Sequence, residues 1–264
     1  MNLWCDVREV VAEQWEYREL LVQMTVRDLL LRYKQTIMGF GWAVFMPLVN
    51  TAVFSVIFTR VAPLKTSVPY PVFAYCGLWA WNFLASALRF SVTSLTANSN
   101  LVSKVYFPRE IFPFSSVIVC LVDFAVGSVV LVALMIWYRV PIGLSLLWLP
   151  AVLAVHLTFT AGVALVISMA NLFYRDVKYL FEVVITVWMF ATSVVYPVDR
   201  IGGTLGAVLR LNPMTPIIDS YRATILLGVA PPRALAFATA VSLVILFAGW
   251  ILFHRLEFEF AESI

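Results

Sequence analysis

Apolar residues fall along this chain in six blocks, near 37–59, 71–97, 111–138, 144–170, 179–197 and 234–253. Short stretches rich in charge, proline or glycine separate them. Each block is close to the ~20 residues that an α-helix needs to cross the hydrocarbon of a bilayer. Lipid offers the backbone no hydrogen-bond partner, so a spanning segment must be a helix or part of a closed barrel. The ten-residue alternating segments of a barrel are missing from the sequence. The pattern predicts an all-α, polytopic membrane protein with six transmembrane helices. Ahead of the first block, Leu20, Leu21, Met24, Leu31 and Ile37 recur at helical spacing, while Glu19, Gln23, Arg27 and Lys34 take other faces. Residues 1–36 are therefore expected to form an amphipathic helix in the cytoplasmic headgroup plane, and 37–264 the six-span unit. Residues 1–36 lack a short apolar core ending in a small-residue cleavage site, so no cleaved signal is expected.

Composition strengthens the membrane assignment. The chain is 62% apolar and 12% charged, with a mean hydropathy of +0.92, values that a soluble domain does not reach. Charge sets the orientation. With the N-terminus inside, residues 1–36, the connections 98–110 and 171–178, and the tail carry ten of the eighteen Lys and Arg. Arg60, Lys65, Arg139, Arg200, Arg210, Arg222 and Arg233 fall outside, and Arg89 lies within a span. The bias places both termini in the cytoplasm.

Scarcity excludes several chemistries. Cys5, Cys76 and Cys120 are scattered and only His156 and His254 occur, so no metal site of recognised ligand spacing is expected. No lysine follows a glycine, which removes the phosphate-cradling GxxxxGK[ST] loop, and no GxSxG nucleophile elbow occurs. Any work driven by ATP needs a partner chain.

Polar residues inside the spans are the main functional signal. In the second span Asn82, Ser86, Arg89, Thr93 and Thr96 share one helix face. Thr51, Ser55 and Thr59 repeat this weakly in the first span, and Glu182, Thr186, Ser193 and Tyr196 in the fifth. For each hydroxyl the ordinary reading is helix-to-helix hydrogen bonding. Arg89 differs, because a guanidinium at this depth must pair, snorkel or face water, and a water-accessible or interhelical path is the favoured reading. In the third span Ser116, Cys120, Asp123 and Gly127 form a narrow face, on which Asp123 is expected to pair with a hydroxyl or with an Arg such as Arg89 rather than to relay protons. His156 reads as a core histidine. Arg27, Arg32 and Lys34 belong at headgroup depth, where they either anchor topology or bind phosphate.

Four motifs carry a resemblance. RDLLLRYKQTIMGFGWAVFMPL (27–48) resembles the start of the first span in permease subunits of polysaccharide-exporting ABC transporters, the type-2 exporters of O-antigen, capsule and teichoic acid. LVSKVYFPREIFP (101–113) resembles their cytoplasmic coupling segment, NLFYRDVKYL (171–180) their short RD-containing connection, and LNPMTPIIDSYR (211–222) their extracytoplasmic gate region. The matches cover nearly the whole chain in the family order.

The resemblance implies a homodimer in the bacterial cytoplasmic membrane, seated on a dimer of a separate ABC ATPase that holds ATP and Mg. This chain would have no cofactor of its own and no nucleic-acid partner. The implied cargo is a glycan on a polyprenyl diphosphate. Arg27, Arg32 and Lys34 are then candidates to guide the diphosphate. Trp42, Phe45, Trp188 and Tyr196, with Asn82, Ser86 and Arg89, are candidates to line the sugar path. Trp79 and Trp81 fit an interfacial aromatic belt better than that path. In segment 98–110, Leu101, Val105, Tyr106 and Phe107 with Lys104 and Arg109 are expected to seat the ATPase, and Pro108 to end its short helix. Segment 198–233, punctuated by proline and glycine, reads as two re-entrant half-helices that gate the exit, an inert outer cap being the competing view. Two other functions stay open: export of a small amphipathic drug or lipid, and a membrane-embedded enzyme of glycan-lipid metabolism that would use Asp199, Arg200 and Asp219.

Overall fold

The computed structural model describes residues 16–34, 39, 41–104, 107–197, 201–257 and 260. In chain order the helices are α1 (Arg18–Tyr33), α2 (Gly41–Val56), α3 (Tyr70–Ala97), α4 (Ser99–Lys104), α5 (Ile111–Trp137), α6 (Leu149–Phe173), α7 (Val177–Phe190), α8 (Gly203–Arg210), α9 (Met214–Ile225) and α10 (Ala234–Leu256). A π-helical turn, Ile57–Val61, extends α2, and a 3-10 turn, Leu144–Trp148, precedes α6. No strand occurs among the described residues. Proline opens α3 and α6 within the first turn, where the missing N–H has no intrahelical partner to lose.

Among the described residues, four helical stretches are long and apolar enough to cross a membrane: Val44–Val61, Ile111–Trp137, Leu144–Phe173 and Ala234–Leu256. They match the first, third, fourth and sixth blocks of the sequence. The second block forms α3, 28 residues long, whose Asn82, Ser86, Arg89 and Thr93 make it more polar than those four. The fifth block does not run through to 197. Its helix α7 stops at Phe190 after 14 residues, and 191–197 turn back on themselves.

The middle of the bundle is α3, which packs against α2, α5, α6, α7 and α9. Trp79 and Trp81 are 5% and 2% exposed, so the interfacial-belt expectation for them is not met. Trp79 stacks on Phe124 with ring centroids 3.8 Å apart and donates to the Phe124 carbonyl at 2.8 Å. Pairing an indole N–H with a main-chain carbonyl lets a polar-tipped ring sit in the core. Against α6 lies α10, and a Cβ on Gly162 would come within 2.7 Å of the Leu246 nitrogen. Small residues at such crossings let backbones approach, which drives association where lipid removes any hydrophobic advantage.

Between the fifth and sixth blocks the structure forms two short helices, α8 of 8 and α9 of 12 residues. Every residue of α9 except Asp219 is buried, against α3 and α6. Arg222, which the charge count assigned to an outer connection, is buried within this helix. Its guanidinium donates to the carbonyls of Ser193 and of Val194, the latter at 2.6 Å, and lies 3.7 Å from the Phe73 ring centroid. From the other side, Asn212 donates to the Ala191 carbonyl at 3.0 Å and to the Thr192 hydroxyl at 2.7 Å. Those two side chains satisfy the backbone freed where α7 breaks, the condition for irregular chain inside a bundle.

Candidate functional site

A cavity of about 380 Å³ opens between the end of α1, α2, α3 and α5. It gathers five of the residues proposed from sequence to guide the cargo, Arg32, Trp42, Asn82, Ser86 and Arg89. The α3 stripe places Asn82, Ser86 and Arg89 on this wall because steps of three and four residues keep side chains on one helix face. Trp42 faces them from α2, and Tyr33, Asp123 and Phe124 complete the lining.

Asp123 organises one end. Arg32 Nη1 is 2.8 Å from its carboxylate, and the Tyr33 hydroxyl donates to it. Arg32 also lies 4.3 Å from the Phe90 ring centroid and 3.6 Å from the Cys120 sulfur. The expected Asp123–Arg89 partnership is therefore replaced by Asp123–Arg32. Arg32 thereby ties the end of α1 to the middle of α5. Asp123 lies roughly 18 Å along α5 from Ile111 by the helical rise, and α1 runs beside α5 to reach it. The reason is electrostatic: a lone carboxylate at a helix centre costs about 2.5–3.5 kcal/mol in a membrane and draws a cation to its own depth.

Arg89 pairs instead with Glu182 of α7, through two hydrogen bonds of 2.8 and 2.9 Å. The fork geometry matches a guanidinium to both carboxylate oxygens. The pair joins α3 to α7, and both side chains are about half exposed. Glu182 was visible in sequence as part of the fifth polar face; its pairing with Arg89 was not.

The other candidates lie elsewhere. Arg27 is held by Asp28 at 2.8 Å and by Asn98 at 2.9 Å, while Ser115 donates to Asp28 at 3.1 Å. That group ties α1 to the end of α3 and the start of α5. Lys34 is exposed beside Leu29, Leu30 and Leu31 in a separate surface hollow. Phe45 meets Trp42 edge-on at 5.9 Å and points outward. Trp188 donates to Asn212 at 3.1 Å and packs edge-on against Trp81 and Phe159, and the Tyr196 hydroxyl donates to the Phe190 carbonyl. Neither reaches the cavity, because the break after α7 folds this part of the chain onto α9.

In the coupling segment, Phe107 is 7% exposed and packs on Phe112, so it does not present an open anchor. Val102, which no sequence pattern marked, is fully buried beside it in the same cluster. Leu101 and Arg109 are half-buried, and Arg109 lies 5.9 Å from the Phe260 ring centroid. The short helix is described over Ser99–Lys104, and Phe107 and Pro108 lie outside it. The Lys104 side chain, Val105 and Tyr106 lie outside the described residues, as do Asp199 and Arg200. His156 is buried in the core, with Nδ1 3.3 Å from the Tyr221 hydroxyl. The spacing argument found no metal ligand set, yet the fold brings Glu110, His254 and Glu257 together, with potential ligand atoms within 4.8 Å of one another.

The family comparison matches residues 19–226 to the ABC-2 type transporter family. This chain belongs to that family. Over 262 residues the ABC-2 chain is 30% identical to the O-antigen export system permease protein RfbA of Myxococcus xanthus, covering 97% of this chain and 99% of that protein. It is 29% identical over 246 residues to the protein of the same name from Klebsiella pneumoniae, covering 92% and 94%. Family, apolar helices and relatives together make this ABC-2 chain a transmembrane transport permease.

Proposed function

We propose that the chain is the membrane subunit of an ATP-driven exporter that carries a polysaccharide on polyprenyl diphosphate across the bacterial cytoplasmic membrane. Two copies form the conduit on a dimer of a separate ATPase, with both termini in the cytoplasm. What supports this reading is one cavity that joins guanidinium, amide, hydroxyl and indole groups, in a chain whose full-length relatives are named as O-antigen export permeases. A diphosphate needs forked, permanently charged donors, and a neutral sugar needs broad rings with polar tips. Arg32 and Arg89 hold carboxylates at rest; an arriving anion competes with Asp123 and Glu182 for them. Segment 98–110 receives the push of the ATPase, and inward packing of Val102 and Phe107 gives it the rigidity to pass that push to α3 and α5. The helices α8 and α9 dip in from the outer face and close the exit, braced by Arg222.

The test is reconstitution of the chain in proteoliposomes with and without its co-expressed ATPase. ATP hydrolysis and movement of a polyprenyl-diphosphate glycan are expected only with both chains, and Arg89→Leu is expected to abolish movement while the protein still inserts. Stimulation by a small amphipathic drug and not by the glycan lipid would assign the chain to drug or lipid export instead. Chemical conversion of the glycan lipid by the chain alone would make it an enzyme.

A further inference from the structure

A second hollow, of about 340 Å³, opens where α3 and α6 end and α7 begins. Thr93 and Thr96 of α3, Ser99 of α4, Asn171 of α6, and Arg175 and Lys178 around the start of α7 line it, and none of its lining residues is acidic. Thr93 and Thr96 continue the polar face of α3, one turn beyond Arg89. Arg175 belongs to the NLFYRDVKYL connection (171–180) and takes no part in the first cavity. The most buried polar group of the hollow is Asn171, 2% exposed. Its Oδ1 accepts from the Lys178 main-chain N–H at 3.2 Å, which holds the start of α7 against the end of α6. The amide N–H groups of Asn171 have no acceptor among the described residues. Buried donors left unpaired are costly, so this position favours an oxygen-rich ligand. Arg175 and Lys178 are exposed at the rim, and neither takes part in an ion pair among the described residues. Lys178 lies 4.8 Å from the Tyr179 ring centroid, and Asp176, between the two cations in sequence, is not part of the lining.

We propose that this hollow binds the phosphate group of a lipid headgroup. Guanidinium, ammonium, hydroxyl and amide groups converge on it, and each can donate to a tetrahedral oxyanion. Arg175 supplies a planar fork of donors and Lys178 a compact charge. Place agrees with chemistry. The hollow lies at the ends of α3 and α6, the level at which a bilayer carries its headgroups, and both faces of a bilayer carry phosphate, so the assignment holds in either orientation. Two lipids bring that group: a phospholipid of the membrane and, resting on the exporter reading, the polyprenyl diphosphate of the cargo. A phospholipid held here ties the connection after α6 to the corner between α3 and α4. A diphosphate held here stands one turn of α3 from the Arg89–Glu182 pair. Sequence conceals the hollow, because its hydroxyls and its cations lie on helices far apart in the chain.

The experiment uses the purified full chain in a neutral detergent, with native mass spectrometry counting the lipids that stay bound. Phosphatidylglycerol is titrated, and diacylglycerol in parallel, which has the same chains and no phosphate. One phosphatidylglycerol per chain is expected to bind ahead of any others, and diacylglycerol is expected not to. Arg175→Gln and Lys178→Gln are each expected to weaken that first site about tenfold, as the loss of a charge-assisted hydrogen bond implies. Arg255→Gln, which removes a cation at the end of α10, is expected to leave it within about twofold. All three side chains are exposed, so none of the variants disturbs the core. Equal binding by the parent, Arg175→Gln and Lys178→Gln overturns the proposal. So does an equal loss in Arg255→Gln, which would reduce the effect to general surface attraction, and so does diacylglycerol binding as tight as that of phosphatidylglycerol. Adding polyprenyl diphosphate then names the occupant: displacement of phosphatidylglycerol makes it the cargo lipid, and no displacement makes it a membrane phospholipid, the phosphate site standing in both cases. Only binding is read, without the ATPase, so the exporter reading stands or falls separately on transport.

Discussion

Asp123 is the residue on which the first part of the molecule turns. It fixes how deep α1 reaches, because Arg32 and Tyr33 both end on its carboxylate. With side chains 25% and 14% exposed, Arg32 and Asp123 are largely out of solvent, and removing one charge strands the other. Asp123→Asn is expected to destabilise the protein by about 3 kcal/mol, the lower end of the cost of stripping one partner from a buried pair. The double variant Arg32→Leu with Asp123→Leu is expected to regain most of that stability, since two apolar side chains replace a balanced pair at little cost. If Arg32 also guides the anionic cargo, the double variant regains stability in an unfolding titration and still fails in export. Recovery of both would make the pair purely structural.

At the scale of elements, the break after α7 is the feature with the most consequences. Helix α7 ends where Arg222 and Asn212 supply donors for carbonyls that a continuous helix would satisfy by itself. Gly77 of α3 makes room for this. A Cβ there would lie 2.2 Å from the Val194 carbonyl oxygen and 2.4 Å from Arg222 Nη2. Overpacking of a tight contact costs about 1–3 kcal/mol, and here it also pushes the guanidinium off its acceptors. Gly77→Ala is therefore expected to cost the fold about 1–3 kcal/mol and to lower the unfolding midpoint. Arg222→Met, which leaves at least two buried carbonyls without donors, is expected to do at least as much harm. Both are read by thermal unfolding of the purified protein; an unchanged midpoint in Gly77→Ala would show that α7 and α9 do not pack as described.

For the whole molecule, the decisive property is sidedness. The proposed topology puts the connection at 171–178 in the cytoplasm and the connection after α2 outside, as the distribution of Lys and Arg indicates. In a chain without its native cysteines, Arg175→Cys is expected to react with an impermeant thiol reagent only in inverted vesicles. Lys65→Cys is expected to react only in intact cells. Both positions are exposed, so access is not limited by burial. The reverse pattern would invert the transporter and place α4 on the wrong face for an ATPase.

The sequence by itself determined the all-helical class, the positions of four long apolar helices and the two short helices before the last one. Hydropathy, length and proline placement are local properties, and lipid leaves no alternative to helix. It also marked the polar face of α3, because a period of three to four residues shows which side of a helix differs from the rest. What it could not supply is which neighbour that face meets, since the rotation and depth of each helix come from packing across the bundle. Only the tertiary structure decided that Asp123 takes Arg32 and Arg89 takes Glu182, and that Arg222 holds the end of α7. It likewise turned Trp79, Trp81 and Phe107 into the core. Each of these contacts joins groups distant in sequence, and each exists because a charge, a free carbonyl or a large ring removed from water must find its partner wherever the packed helices place one.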